Sequence, residues 1–238
     1  RIGKLEGIRD FAMTTNGLLL KEYAKDLKAL GLKRVNISLD TLDDKKYSSI
    51  TRIGSLQRVM KGIEAAKEVG LTPIKINTVL VGGFNDDEIE DLVRLTEKEE
   101  IDVRFIELMP IGEAIKLKAD HFLSNEIVLQ RVPSLIKIDG EDPSSPAVYY
   151  KLPNGKGKIG LINPVSCKFC KNCNRVRLTS QGKLKLCLHS DVEIDLREAL
   201  RRGQAIEKII MDAISKKPES HNLEDGVYVS KKMYQIGG

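Results

Sequence analysis

Tryptophan is absent from this chain of 238 residues, and aromatic residues make up only 5% of it. Proteins that bind single-stranded nucleic acid stack bases on exposed aromatic rings, so this composition argues against such a surface. Runs of ~20 apolar residues, which a membrane helix requires, are missing, and the chain does not open with a secretory pattern. We therefore expect a cytoplasmic protein that neither crosses a membrane nor binds nucleic acid.

Charge blocks of one sign are also missing. The 39 Lys and Arg residues are interspersed with 34 Asp and Glu residues, which gives a net charge of +5. This mild excess favours anionic ligands such as nucleotides, whereas a nucleic-acid partner would be indicated by basic clusters. The hydrophobic fraction of 41% is enough for one large core or two smaller ones.

Cysteine is missing from most of the chain, because all four residues lie between positions 167 and 187. Disulfide cysteines of secreted proteins are spread along the sequence, whereas the spacing C-x2-C-x2-C-x13-C indicates shared ligation of one centre in a reducing compartment. Spacing alone leaves two alternatives. One is a closed zinc site of four cysteines that only holds the fold together, and the other is an iron–sulfur cluster held by three, with one iron free for substrate.

Short β-branched runs alternate with helical patterns over the first ~120 residues, which is typical of parallel βα units. Strands are predicted at Phe11–Met13, Val35–Ile37, Lys75–Val81 and Val103–Ile106, and helices at Leu18–Leu30, Gln57–Val69 and Asp87–Lys98. Parallel α/β folds place active sites at the carboxyl ends of strands, where this chain has Thr14, Ser38, Asp40, Asn85 and Glu107. Four units indicate either an open α/β sheet or part of a TIM-type barrel.

The second half of the chain differs in pattern. A helix is predicted from Asp120 to Leu135, followed by a hairpin of Tyr149–Leu152 and Lys158–Leu161. An amphipathic stretch from Ile194 to Ile214 comes after the cysteines. This change divides the chain into residues 1–119, which hold the βα units, and residues 120–238, an α+β region that carries the cysteines.

Two arginines follow the third cysteine. Arg175 and Arg177 lie two positions apart, so in an extended segment both side chains point to the same face. Paired guanidiniums form a fork for phosphate or another oxyanion, although such a pair alone is more often solvated surface. Beside a metal centre, the pair favours a substrate-binding cluster over a structural zinc ion.

The segment from Phe169 to Leu188 resembles the F-C-x2-C-N-R-x-R-L-T-x2-G-x-L-x2-C-L motif of the GTP 3′,8-cyclase family. These lyases are radical S-adenosylmethionine (SAM) enzymes that begin molybdenum cofactor biosynthesis. The resemblance extends along nearly the whole chain, through residues 14–17, 34–40, 74–79, 104–110 and the terminal Gly237-Gly238. Each segment is weak alone, but their order and the cysteine–arginine block together make the resemblance specific.

The resemblance implies a partial TIM-type radical SAM barrel in residues 1–119 and a cluster- and GTP-binding region in residues 120–238. It implies that Cys170, Cys173 and Cys187 hold a 4Fe-4S cluster whose free iron contacts guanine. It further implies that GTP contacts Thr14, Lys75, Arg175, Val176 and Arg177, and that SAM contacts Ser38 and Met109. It also implies that a tail ending in Gly237 and Gly238 reaches the active site.

Simpler roles are available to several of these residues. Thr14 could cap the turn before Asn16-Gly17, Ser38 could cap the next helix, and Met109 could pack in the core. Lys75 lies in an otherwise apolar strand, where an inward lysine is costly unless paired, and this favours ligand binding. The three histidines match no motif of the family.

Two features depart from the family's pattern. The C-x3-C-x2-C motif of the first cluster, which binds and cleaves SAM, is not in this sequence, nor is the Gly-Gly-Glu-Pro segment that follows it. We therefore expect a chain that lacks the N-terminal part and does not generate the deoxyadenosyl radical by itself. Cys167 is the second departure, and it is either a bystander or a ligand of the fourth iron.

In the intact enzyme, the resemblance implies reductive cleavage of SAM and abstraction of the ribose 3′ hydrogen of GTP. The 3′ radical then attacks guanine C8, and reduction of the resulting radical by one electron, with uptake of a proton, gives (8S)-3′,8-cyclo-7,8-dihydroguanosine 5′-triphosphate. A reductant such as flavodoxin or ferredoxin, a pterin synthase that takes the product, and a homodimer are further expectations. Two alternatives stay open: another radical SAM enzyme with an auxiliary cluster, and a zinc-stabilised module without catalysis.

Overall fold

A computed structural model describes residues 2–140, 142–167, 169–221, 223 and 235. These residues form two compact units. Of the described residues, the first unit comprises 2–108, 120–140 and 147–163, and the second comprises 109–119, 142–146 and those from 164 onward. The functional division expected at residue 119 stays a prediction.

The first unit is built on a seven-stranded sheet in the order β1-β2-β3-β4-β7-β6-β5. Neighbours from β1 to β4, and β4 with β7, pair in parallel, whereas β6 and β5 are antiparallel. The strands are β1 (Ala12–Thr15), β2 (Arg34–Ser38), β3 (Ile74–Leu80), β4 (Ile101–Glu107), β5 (Ile136–Ile138), β6 (Ala147–Lys151) and β7 (Ile159–Ile162). The predicted α/β class, with a mostly parallel sheet, is confirmed, and a partial barrel stays a prediction.

Helices connect the parallel strands and cover one face of the sheet. They are α1 (Leu20–Ala29), α2 (Asp44–Thr51), α3 (Leu56–Glu68), α4 (Ile89–Lys98) and, after β4, α5 (Glu126–Arg131). Side-chain caps start two of them: the Asp43 carboxylate accepts from the Lys45 and Lys46 amides at 2.8 Å, and Ser55 accepts from the Arg58 amide. Helix α2 was not predicted; it is mostly polar and buries Tyr47.

The main core lies between these helices and the sheet. On β2, β3 and β4, alternate residues are mostly apolar and are buried in it, as the pleat requires. Its buried members include Val35, Ile37, Ile74, Ile76, Val103 and Phe105 from the strands and Leu20, Val59, Ile63 and Leu92 from the helices. Successive side chains of a strand point to opposite faces of the sheet. Because the apolar side chains point to the core, polar side chains can lie on the opposite face.

The helix predicted from Asp120 to Leu135 is wrong over most of its length. Only Glu126–Arg131 is α-helical, and Ala119–His121 forms a single 3₁₀ turn. The His121 carbonyl accepts instead from the Gly82 amide at 2.9 Å. The buried Asn125 side chain donates to the Phe105 and Ile162 carbonyls, so tertiary bonds to the sheet replace the helix here.

The predicted hairpin is present, since β6 and β7 pair antiparallel with Tyr149 opposite Gly160. The second unit has its own three-stranded antiparallel sheet, in the order β10-β9-β8. Its elements are β8 (Arg177–Leu178), β9 (Lys183–Lys185), β10 (Glu193–Asp195), α6 (Leu196–Arg201) and α7 (Ile206–Ser215).

A small core joins the strands and helices of this second unit. Leu184, Leu186 and Ala213 are buried together, with Ile194 and Ile210 packed against them. The amphipathic stretch predicted from the sequence therefore contains a strand and two helices that surround β9. Within the described part of the chain, the helices are too short or too polar to span a bilayer.

Gly157 provides a test of how closely β7 approaches β4. A Cβ atom placed on Gly157 would lie 1.9 Å from the Ile101 carbonyl oxygen, which is backbone and cannot move aside. We expect Gly157→Ala to lower the free energy of unfolding by about 3 kcal/mol, because overpacking displaces the strand pair. Gly140→Ala is the matched control, since nothing lies within 4 Å of its added Cβ. Chemical denaturation compares the two, and equal stabilities would contradict this packing.

Candidate functional site

A polar face runs across the parallel strands of the first unit, opposite the helix-covered core. On β2 and β3 the residues of one phase are half-buried or exposed, and those of the other phase are buried. Pairing brings this phase into line from strand to strand, because Thr14 lies beside Asn36 and Asn36 beside Lys75. The same face carries Arg34, Ser38, Asn77 and Arg104.

Hydrogen bonds join these polar residues into a chain. The side-chain Oδ1 atom of Asn36 accepts from both Arg34, at 3.0 Å, and Arg104, at 3.1 Å. The Nδ2 atom of the same side chain donates to the Thr14 hydroxyl at 3.3 Å. Arg104 also donates to Asn77 at 2.8 Å, and Arg34 forms an ion pair with Asp10 at 2.5 Å. The network fixes two guanidiniums on a surface that the apolar core does not use.

Gly160 lets Arg104 take this position. Arg104 and Gly160 are neighbours in the pairing of β4 with β7. A Cβ atom on Gly160 would lie 2.9 Å from the Arg104 Cγ atom and 3.2 Å from the Tyr149 ring. Tyr149 hydrogen-bonds the Arg104 side chain. The glycine therefore provides the space through which the arginine crosses the strand.

Lys75 is the cation of this face that lacks a partner. It is half-buried, and no hydrogen bond or ion pair joins its ammonium to another described residue. Burial lowers the pKa of Lys75, and the charges of Arg34 and Arg104 lower it further, whereas Asp102 and Asp10 act in the opposite direction. An amine held between two guanidiniums creates a positive field that suits an anion.

Two simpler roles suggested by the sequence are filled by other residues. The turn after β1 is capped by Thr15, whose hydroxyl accepts from the Gly17 amide at 3.1 Å, and not by Thr14. Asp43 caps the helix after β2, which leaves Ser38 exposed at the end of its strand. Met109 lies in the second unit, where its carbonyl accepts from the Ile111 amide at 2.8 Å.

The cysteines lie in the second unit, before β8 and after β9. All four thiols are free; Cys167 is exposed and the other three are partly buried. Cys170 opens a 3₁₀ turn that Cys173 closes, with the Cys173 amide donating to the Cys170 carbonyl at 3.0 Å. Among the described residues, no three His, Cys, Asp or Glu side chains stand together in a geometry ready for a metal ion. The predicted ligand set Cys170, Cys173 and Cys187 thus stays a prediction.

Burial alternates along the segment that follows. Cys173, Arg175 and Arg177 are partly buried, whereas the residues between and after them, Asn174, Val176 and Leu178, are exposed. This period of two places the two guanidiniums on the same side, together with the Cys173 thiol. Val176 points the other way, with an exposed fraction of 43%.

The two arginines have different surroundings. The Arg175 guanidinium lies 4.9 Å from the centre of the Phe169 ring and donates to the Ser144 carbonyl at 3.3 Å. Burial lowers the pKa of Arg177, the Arg175 charge lowers it further, and Cys187 and Cys173 oppose this effect. Arg177 therefore lies within electrostatic reach of both cysteine thiols.

Lys217 contacts the same segment and had no signal in the sequence. Its ammonium donates to the Cys173 carbonyl at 2.5 Å and to the Arg175 carbonyl at 2.9 Å. It also lies 3.4 Å from the Cys173 sulfur. Burial raises the pKa of the Cys173 thiol, but the Arg175 backbone N–H, the Arg175 charge and Lys217 outweigh burial and hold the pKa below its usual value.

A histidine pair includes His189, which lies two residues after Cys187 in the chain. The rings of His189 and His221 meet edge to face with centroids 4.9 Å apart, and the His221 Nε2 atom lies 2.7 Å from the Pro164 carbonyl oxygen. Burial, His221 and Arg177 lower the pKa of His189 to about 4, so that ring is neutral. The sequence pattern predicted no role for the histidines. The predicted tail residues Gly237 and Gly238 lie outside the described residues.

Protein-family models match both parts of the chain. Residues 1–96 match the radical SAM superfamily, and residues 101–223 match the family described as Molybdenum Cofactor Synthesis C. Among solved structures, a radical SAM methyltransferase from Sphaerobacter thermophilus matches with a TM-score of 0.41 and 18% identity, over 50% of this chain and 35% of that one. That likeness is too limited to bear on the fold.

Curated relatives align with the entire chain. The GTP 3′,8-cyclase of Peptoclostridium acidaminophilum is 62% identical over 238 residues, which is 100% of this chain and 73% of that protein. The GTP 3′,8-cyclase of Alkaliphilus oremlandii is 53% identical, over 100% of this chain and 75% of that protein. The chain therefore belongs to the GTP 3′,8-cyclase family of radical SAM enzymes, whose resemblance was already visible in its cysteine–arginine segment.

Proposed function

We propose that this chain provides substrate binding for the conversion of GTP to (8S)-3′,8-cyclo-7,8-dihydroguanosine 5′-triphosphate, the first step of molybdenum cofactor biosynthesis. Family membership supports this assignment. One structural observation carries it: Cys173, Arg175 and Arg177 share one side of a single segment. A thiolate for metal ligation and two guanidiniums for phosphate are thus presented together.

The radical SAM superfamily implies a 4Fe-4S cluster and SAM as cofactors. For the second unit, we assign Cys170, Cys173 and Cys187 as ligands of a cluster. Their thiols are free, and cations beside Cys173 favour the thiolate form that ligation requires. Because the three are not already gathered as a metal group, cluster binding would complete their arrangement. When bound, such a cluster supplies an iron without a protein ligand, to which guanine can bind. Cys167 is exposed and is left out of the set.

In the second unit, Arg175 and Arg177 bind the triphosphate. The Phe169 ring and the Ser144 carbonyl limit the positions open to the Arg175 guanidinium, which reduces the entropy lost on binding. Arg177 is partly buried, and a guanidinium in a low-dielectric site attracts an oxyanion more strongly than one in water does. Val176, exposed between them, is the residue we place along the substrate.

In the first unit, we assign Thr14 and Lys75 to GTP and Ser38 to SAM, with Met109 of the second unit as a further SAM contact. Lys75 has no partner among the described residues, so it can give its whole charge to a phosphate. The Thr14 hydroxyl accepts from Asn36 and keeps its own hydrogen for a ligand. Ser38 is exposed at the carboxyl end of β2, where parallel α/β folds bind ligands.

Radical formation belongs to the cofactors, and this chain's residues orient the reactants. Side chains that bind the triphosphate limit the orientations open to the ribose and the base. Such positioning contributes much of an enzyme's rate by replacing a random encounter with a fixed geometry. We further propose that a flavodoxin- or ferredoxin-type reductant supplies electrons, that a pterin synthase receives the product by metabolite transfer, and that the chain can form a homodimer.

Metal analysis after anaerobic preparation tests the cluster assignment. We expect iron and sulfide in near-equal amounts, and we expect GTP to change the electronic spectrum of the cluster. Zinc without iron would instead support a structural metal module and would rule out the proposed substrate site.

Replacement of Arg175 tests phosphate binding. We expect Arg175→Ala to weaken GTP binding by roughly 10- to 100-fold, the loss of one charge-assisted hydrogen bond to an anion. Arg201→Ala is the control, because Arg201 is exposed at the end of α6. Calorimetric titration of GTP into the cluster-loaded chain measures both affinities. Equal affinities for the two variants would contradict the role of Arg175.

Lys75→Met should separate stability from binding. Burial and two neighbouring arginines depress the pKa of Lys75, so its charge destabilises the fold at neutral pH. We expect the variant to be more stable by about 1 kcal/mol at pH 7, yet to bind GTP roughly tenfold more weakly. Lys75 binds its proton more tightly in the unfolded chain than in the folded one. The free energy of unfolding of the wild type should therefore increase as pH rises, and the stability difference between the wild type and Lys75→Met should decrease.

Thermal and chemical denaturation between pH 7 and pH 10, together with GTP titration, check both parts of this prediction. Lys61→Met on exposed Lys61 of α3 is the control, with stability expected within about 0.5 kcal/mol of wild type. A Lys75 variant that loses stability, or binds GTP as well as wild type, would contradict it.

A further inference from the structure

Lys217 lies two residues after the end of α7, and its side chain returns to the cysteine segment 44 residues earlier in the chain. Its backbone amide donates to the Ile214 carbonyl at 3.1 Å, which fixes it to the last turn of the helix. From this fixed base, the side chain reaches three acceptors, and all belong to Cys173 or Arg175. An ammonium group has three N–H bonds, so the contacts account for each of them.

The charge of Lys217 is not cancelled nearby. Two of its acceptors are neutral carbonyls and the third is the Cys173 sulfur. Within the described ranges, no carboxylate forms an ion pair with it. A partly buried ammonium without a counter-ion is costly unless another anion approaches, and a cysteine becomes anionic when it ligates metal. The arrangement therefore suits a thiolate better than a thiol.

The helix that precedes Lys217 also contacts the strand that leads to Cys187. Ala213 of α7 is buried with Leu184 and Leu186, and Cys187 is the next residue in the chain. One end of α7 thus holds the Cys173–Arg175 segment, and its apolar side holds β9. A single helix fixes two of the three proposed ligands relative to each other.

We propose that Lys217 is a positioning residue for the substrate-binding cluster: it holds the Cys173–Arg175 segment in place and donates a charge-assisted hydrogen bond to the sulfur of Cys173. This inference rests on the proposed function, because it takes Cys173 to be a cluster ligand and Arg175 to bind GTP. It assigns Lys217 no contact with the reacting atoms.

Two measurable properties follow. Reduction adds negative charge to an iron–sulfur cluster, and a cationic donor on a ligand sulfur favours the reduced state, so Lys217 raises the reduction potential. The bond to the Arg175 carbonyl fixes the backbone that carries a phosphate-binding side chain, so Lys217 also strengthens GTP binding. A lysine that only attached the end of α7 to the fold would affect stability but would leave the potential unchanged.

The test uses the full chain, loaded anaerobically with iron and sulfide. Lys217→Met removes the charge and all donors at similar length, and Lys217→Arg keeps both. Lys216→Met is the matched control, because Lys216 is the exposed adjacent residue. Redox titration followed by electron paramagnetic resonance gives the cluster potential, and calorimetry gives the GTP affinity.

We expect Lys217→Met to shift the potential to more negative values and to weaken GTP binding roughly tenfold, while Lys217→Arg and Lys216→Met stay close to wild type. Equal potentials in wild type and Lys217→Met overturn the inference, as does an equal shift in the Met and Arg variants. If Lys217→Met does not retain the cluster, Lys217→Gln replaces it, with a smaller negative shift expected, and an unchanged potential in that variant overturns the inference as well.

These outcomes are distinct from failure of the proposed function itself. A wild-type chain that binds neither iron nor GTP would contradict the proposed function. A wild-type chain that binds both, with a potential insensitive to residue 217, contradicts only the role of Lys217.

Discussion

The in-register pairing of β2, β3 and β4 is the constraint on which the first unit depends. Parallel pairing places Asn36 beside Lys75 and Asn77 beside Arg104, so residues of like phase meet across the sheet. A slip of one residue would move every apolar side chain to the wrong face. The buried core thus fixes the register, and the register in turn assembles a polar face from residues that are far apart in sequence.

The second unit relies less on its hydrophobic core, because its sheet is small and few of its described residues are buried together. Side-chain hydrogen bonds take over part of the positioning. Lys185, which is fully buried, donates to the Ser190 carbonyl at 2.5 Å and lies 3.8 Å from Glu193. This contact holds the loop after Cys187, as Lys217 holds the segment after Cys173. Two lysines therefore fix the two chain segments that carry the cysteines.

Much of the fold was visible in the sequence, because it rests on local periodicity. The alternating pattern predicted the parallel strands and three of the helices, and the strand patterns at Tyr149–Leu152 and Lys158–Leu161 predicted the hairpin. The helix at 120–135 failed because Asn125 bonds to strand ends far from it in sequence. The polar helix α2 was missed because it has little apolar periodicity to signal it.

The candidate site was predictable where the chemistry lies in one motif. The cysteines, Arg175 and Arg177 form one local sequence pattern, so the sequence was enough to propose them as site residues. Lys75 was proposed in the same way, because it lies between two apolar residues of a predicted strand. Lys217, by contrast, sits on a helix end that reaches Cys173 only after folding. Asn36 and Asn77 are also common residues whose meaning comes from the side chains that pairing brings beside them.

Arg104 shows how a sheet can hold a cation without neutralising it. Its hydrogen-bond partners among the described residues are the neutral side chains of Asn36, Asn77 and Tyr149. Carboxylates in these positions would hold the guanidinium equally well, but they would cancel its field and release it on protonation. The side-chain amides of Asn36 and Asn77 carry no charge and do not titrate, so they orient this arginine without cancelling its field.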